Sequence, residues 1–261
     1  MEYLRIQRPR HMQTAVLHYK RPEVGRSVAL VGVSPVAEAR YYEGLHRDIR
    51  QMQEGGSVVH FEVFSFRPDA ARWDQAEADV LERLERTEIL QMRRAAVLGW
   101  VHRREGLRPH DDWQIHEVRA VDVIRHDDIG AIRARADASC VWLDWPSGDP
   151  QGPVRYRLWM ARRMRAAASG RTRPRRQAGT ARTVLSYRIR PALQAVEQSA
   201  QDLVLVWDIE TLPVLADTMA AHGFILERTN WHSAGELPSR LTALKDLLVG
   251  RLPERSRAGL R

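Results

Sequence analysis

The sequence predicts an α/β fold: a mostly parallel sheet built from two βαβ units, with covering helices and a helical middle region. Three observations predict it. Short β-branched apolar runs alternate with helix-period segments twice, once toward each end of the chain. The stretch between has helical composition and few breakers. At 261 residues, with 44% hydrophobic and 28% charged side chains, the chain has the length and balance of one domain with a well-buried core, residues 1–261.

Taken in order, residues 14–19 (TAVLHY) and 27–33 (SVALVGV) read as two strands separated by a Pro- and Gly-containing break. From Pro35 the period changes: Tyr42, Leu45, Ile49 and Met52 recur at three and four residues, and Gly55-Gly56 close a helix. Residues 57–64 (SVVHFEVF) return to strand character. Strand, helix and strand within 14–64 make the first βαβ unit, for which parallel pairing and a right-handed crossover are the default. Residues 73–104 read as helical with interleaved charges, as on a solvated face. Residues 106–130 read as a loop followed by another helix, within a helical region spanning 70–170. Arg171 to Arg182 carries Gly, Pro, Thr and many charges without apolar spacing, which predicts a mobile loop. After a helical stretch to Ala200, residues 202–207 (DLVLVW) form a buried-strand signature. A helix from Leu212 to His222 follows, with Pro213 in its first turn and Gly223 as its cap. A strand at 223–229 completes the second unit within 183–261, ahead of a C-terminal helix.

Composition narrows the function classes. No stretch reaches the roughly 20 apolar residues of a membrane span, and the first residues lack the apolar run of a signal peptide, so no membrane partner and a cytoplasmic address are expected. The single cysteine, Cys140, can form neither an internal disulfide nor a thiolate-rich zinc site. Lysine occurs only at Lys20 and Lys245, the usage of a GC-rich bacterial genome. The net charge of +8 is concentrated: twelve arginines and no acidic residue lie between Asp149 and Glu197. Such a segment, 155–190, could neutralise several phosphates and makes nucleic acid a candidate partner, although only Tyr156, Trp159 and Tyr187 are available for stacking. There is no P-loop, no Gly-x-Gly-x-x-Gly and no Gly-x-Ser-x-Gly elbow, and no cofactor is expected.

Both ends resemble one family. VALVGVS at 28–34, the following YYEGLHRDI and then GGSVVHFEV look like the opening unit of the TraB/Tiki superfamily, which includes the pheromone-shutdown and GumN-like proteins. DLVLVWDIETLPVLADTMAAHGF resembles that family's late strand, turn and helix, and NWHSAGELP resembles its closing segment. The two halves stand about 175 residues apart in the family's order, and the middle matches only vaguely. Gly32 and Glu62 match the family's first strand and glutamate, Arg188 its helix arginine, and Trp207, Leu212 and Pro213 its late turn. The departures are equally specific. The histidine of each Gly-x-x-His motif is missing: Pro35 stands at the first and Thr211 at the second, with Asp208, Ile209, Glu210 and Val214 replacing other motif positions and Ile189 the usual asparagine.

Members of the family have been proposed to be metal-dependent proteases. A metal that activates water needs about three protein ligands and one open position. The resemblance therefore implies an inherited hydrolytic site with too few ligands, and no metal is expected.

Glu62 is the strongest residue candidate, because a carboxylate in a strand of Val, His, Phe and Val must be paired, protonated or functional. His60, two residues earlier, shares its face and makes a two-donor pair with it, or is only a partly buried strand residue. Arg188 could orient a carboxylate or phosphate. Asp208 and Glu210 occupy the turn at the sheet's C-terminal edge, where open α/β sheets bind ligands, or are helix-start acids favoured by the dipole. The candidate catalytic set is Glu62, Arg188, Asp208 and Glu210; Gly32, Ser34, His60 and Trp207 are the candidate ligand contacts. His116 and His232 read as structural or exposed.

Three functions follow as expectations. The first is a divergent TraB/Tiki-like protein with a degraded metallohydrolase site and a binding, regulatory or accessory role. The second is an enzyme whose repurposed acid/base crevice at the sheet edge takes a small molecule or modified peptide. The third is nucleic-acid binding through 155–190.

Overall fold

The computed structural model describes residues 3–7, 11–66, 74–126, 128–143 and 178–236, together with Gly152 and Met160. The chain opens with three antiparallel strands, β1 (Leu4–Gln7), β2 (His11–Arg21) and β3 (Arg26–Val33). The expected strands at 14–19 and 27–33 are the apolar centres of β2 and β3. Between them Pro22–Val24 makes a 3-10 turn that Gly25 closes at φ 65, a conformation glycine adopts without steric cost.

A two-residue strand, β4 (Val36–Ala37), precedes α1 (Ala39–Glu54), so this helix begins at Ala39 and not at Pro35. Proline disfavours the helical region for the residue before it, here Ser34. Tyr41 and Tyr42, both buried on α1, fold back onto Ser34: its N–H donates to Tyr41 Oη at 3.0 Å and its carbonyl accepts from Tyr42 Oη at 2.9 Å. Strand β5 (Val58–Ser65) follows.

Helix α2 (Gln75–Val97) is opened by a reciprocal capping box between Asp74 and Glu77, which satisfies two otherwise orphaned N–H groups. Beyond it the helical region is interrupted by β6 (Val101–His102), which pairs with β4, by the single turn α3 (Arg103–Gly106) and by β7 (Gln114–Arg119). Strand β7 corrects the expectation of a loop and helix there. It buries only Val118 fully, and an edge strand with so little burial leaves a faint alternation in sequence.

The remaining elements are α4 (Ala120–His126), α5 (Ile129–Leu143), α6 (Ala178–Gln198), β8 (Leu203–Asp208), α7 (Leu212–Ala221) and β9 (Ile225–Glu236). Residues 178–182, expected to end a loop, already belong to α6. The remainder of that loop, most of the Arg-rich segment from 150 to 177 and the tail after 236, with its expected helix, lie outside the described residues.

The sheet is mixed, with four parallel strands at its heart in the order β3, β8, β5, β7, and β2 antiparallel to β3. Strand β8 comes from late in the chain and inserts between β3 and β5. Leu203 is in register with Val28 on one side and Val58 on the other. The strands flanking α1 therefore point the same way but share no ladder. The strands flanking α7 are also separated, because β9 pairs antiparallel with β2. The centre suits β8, whose residues 203–207 are all buried, as a strand covered on both faces requires. Ser27 N–H donates to Asp202 Oδ1 at 2.7 Å and Arg26 reaches the carbonyls of Gln201 and Val196, fixing the register at the entry to β8. Among the described residues no helix is long and apolar enough to cross a membrane.

Candidate functional site

Parallel strands present their C-terminal ends at one edge, and here β3, β8 and β5 bring Val33, Asp208 and the Glu62 region together. The side chain of Glu62 is wholly buried and is met by Arg188 from α6 in a two-pronged contact: Nε donates to Oε1 at 2.8 Å and Nη2 to Oε2 at 2.9 Å. The backbone N–H of Asp208 donates a third bond to Oε2 at 3.1 Å. Burial alone would push Glu62 up, but Arg188, Arg103 and the Asp208 N–H together hold it below the usual carboxylate range. Burial would likewise push the Arg188 guanidinium down, and Glu62 and Asp208 reverse that.

A second arginine, Arg103, completes the cluster from the first position of α3. Its Nη1 donates to Asp208 Oδ2 at 3.2 Å and its Nη2 to the Glu62 carbonyl at 3.0 Å, while its backbone N–H donates to Pro35 O at 2.9 Å. The side chain of Asp208, 16% exposed, accepts the Glu210 N–H at 2.9 Å through its other oxygen. Burial pushes the Asp208 carboxyl up, and Glu210 and Glu62 add to this against the pull of Arg188 and Arg103. The four candidate catalytic residues thus converge, with Arg188 bonded to Glu62 and the Glu210 backbone bonded to Asp208.

The four expected ligand contacts each have a partner within the protein. A Cβ on Gly32 would sit 2.6 Å from Leu212 Cδ2 and 2.7 Å from Ile209 Cδ1, so Gly32 admits the start of α7 against the sheet. Ser34 is fully buried, its Oγ donating to Val36 O at 2.7 Å. The indole N–H of Trp207 donates to Arg188 O at 3.2 Å, which holds α6 over the strand. His60 bonds not to Glu62 but to His116 on β7, with Nδ1 and Nε2 2.8 Å apart. Burial and the neighbouring ring push His60 down to about 4, and burial lowers His116 as well.

The positions where the resemblance implies histidines are also committed. The Thr211 hydroxyl donates to Asp208 O at 2.7 Å, tying the turn that leads into α7, while the Pro35 carbonyl accepts from the Arg103 N–H. Glu62 offers no unbonded carboxylate oxygen, and among the described residues no three His, Cys, Asp or Glu side chains converge as metal ligands would. These residues do not fit the metal centre that the family resemblance implies.

Sequence reasoning missed Arg103, Tyr41 and the partnership of His116. Arg103 carries no local signal in a chain rich in arginine. Tyr41 precedes the periodic set that marked α1, yet its hydroxyl donates to Gly32 O at 3.1 Å and bonds Thr14 Oγ1 at 2.9 Å. His116 is aligned with Glu62 by the β5–β7 register, a relation fixed only by strand pairing. Comparison with protein-family models, with curated proteins and with solved structures finds no match to this chain.

Proposed function

We infer that the protein is a divergent member of the TraB/Tiki superfamily whose strand-end site has become a fixed ion-pair knot, serving a binding, regulatory or accessory role and no longer hydrolysis. The observation that carries this is the occupation of both Glu62 oxygens by Arg188. A carboxylate so held is neither a free metal ligand nor a general base, since releasing it would leave a buried guanidinium unpaired. The ligand expected is a small molecule or peptide at the sheet edge, beside Asp208, Arg103 and Arg188, which are the partly exposed members of the knot. The test is metal analysis and peptide hydrolysis with the purified full chain. Absence of a stoichiometric divalent metal and of cleavage, with ligand-induced thermal stabilisation that Asp208→Asn diminishes, is the expected result. A stoichiometric divalent metal with peptide cleavage that Glu62→Gln abolishes would overturn it.

A second reading rests on Asp208. Its carboxyl is raised by burial, it is partly exposed, and it stands at the C-terminal strand edge, which suits proton donation to a small molecule or modified peptide. Turnover lost in Asp208→Asn with ligand binding retained would favour this reading over the first. Nucleic-acid binding through 155–190 stays a separate proposal, tested by a salt titration with the arginines of that segment neutralised.

A further inference from the structure

His60 and His116 lie on the same sheet face as Glu62 but take no part in its ion pairs. Their planes are 5° apart, their centroids are 5.0 Å apart, and Nδ1 of His60 is 2.8 Å from Nε2 of His116. The centroid separation exceeds the nitrogen separation by about two ring radii. The rings therefore lie end to end in one plane and not face to face, and the two facing nitrogens aim their in-plane orbitals along one line. Along this line the two rings share a single N–H···N bond.

The same line is the geometry of a two-coordinate metal centre. With metal–nitrogen bonds of about 2 Å, nitrogens on opposite sides of an ion stand about 4 Å apart, so the pair would open by about 1 Å. His60 is nearly buried and His116 is partly exposed on the edge strand, which gives an ion a way in. The nearest carboxylate by register, Glu62, has both oxygens held by Arg188, and no three-donor group exists among the described residues. Zn(II) and its divalent neighbours require three or four ligands, which the described residues do not offer here. Closed-shell monovalent ions of the Cu(I) and Ag(I) type accept two nitrogen donors in line.

We propose that His60 Nδ1 and His116 Nε2 form a linear two-histidine site for a soft monovalent ion, Cu(I) or Ag(I). Binding requires both facing nitrogens to be bare. The proton now shared between them moves to the outward nitrogen of the ring that carries it, both imidazoles stay neutral, and the centre gains the single charge of the ion. No electron is transferred. Both rings are already biased toward neutrality by burial, which removes competition from protons at neutral pH.

The probe is Ag(I), which needs no reductant, added to the full chain carrying Cys140→Ser so that the lone thiol does not compete. The expected result is one ion per chain, a rise in thermal midpoint, and an Ag X-ray absorption spectrum with two nitrogen neighbours. The added variant His116→Gln, checked for folding by circular dichroism, is expected to lose both the ion and the rise. Should that variant fail to fold, the absorption spectrum of the Cys140→Ser chain decides alone. Absence of bound Ag(I), sulfur neighbours from methionine, unchanged binding in His116→Gln, or an equal midpoint rise with Zn(II) would each overturn the assignment.

Discussion

Arg188 grips Glu62 with two parallel N–H···O bonds, at 2.8 and 2.9 Å, across 126 residues of sequence. This contact joins α6 to the middle of the parallel sheet. Burying two charges is costly, and a pair of this kind is stabilising chiefly in comparison with either partner alone.

Removing one partner should therefore cost more than removing both. Glu62→Leu and Arg188→Met are each expected to lose about 3–5 kcal/mol, because each strands the other group in the interior. The double variant Glu62→Leu with Arg188→Met should recover a large part of that loss. Urea denaturation of the four proteins measures the coupling, and strictly additive losses would contradict it.

Acid should weaken the fold in two stages. His60 and His102 are pushed down to about 4, chiefly by burial, and His116 is lowered too. A histidine lowered in the folded state binds its proton more readily when unfolded. Stability is thus complete above the ordinary histidine range, near pH 6.5, and falls as the pH drops toward 4. Glu62, held below its ordinary value, adds a further loss below about pH 4.3 as it protonates and releases Arg188. Chemical denaturation midpoints across this range provide the check, and replacing His102 by Gln should flatten the first stage.

Gly32→Ala should destabilise by about 1–3 kcal/mol through overpacking, since the new methyl meets the ends of Leu212 and Ile209 at 2.6 and 2.7 Å. Leu212→Val in the same chain should return part of this. A ligand-contact role for Gly32 would instead leave thermal stability nearly unchanged and weaken only binding.

Because β8 sits between β3 and β5, a chain ending at Ala200 lacks the strand on which both depend. Such a fragment is expected to show no protected amides over Arg26–Val33 and Val58–Ser65 in hydrogen exchange, whereas the full chain protects them. The same long-range insertion predicts slow folding, since the sheet centre waits on a contact between distant segments.

Local pattern was enough for the elements whose burial is strong. SVALVGV, SVVHFEVF and DLVLVW each announce a buried strand, and the spacing of Tyr42, Leu45 and Ile49 announces α1, because most of these residues answer to the core that buries them. The sequence also singled out Glu62, Arg188, Asp208 and Glu210 as one strand-edge group, and Pro35 and Thr211 as the places where the family resemblance implies imidazole donors. It could not order the strands. Whether β3 neighbours β5 or β8 depends on pairing between residues as distant as Val28 and Leu203, which leaves no periodic trace. Nor could it show that Glu62 is held by Arg188 and His60 by His116, or that Arg103 joins the knot. Side chains of ordinary local character become partners only when the sheet sets their distance, and that distance is a property of the tertiary structure alone.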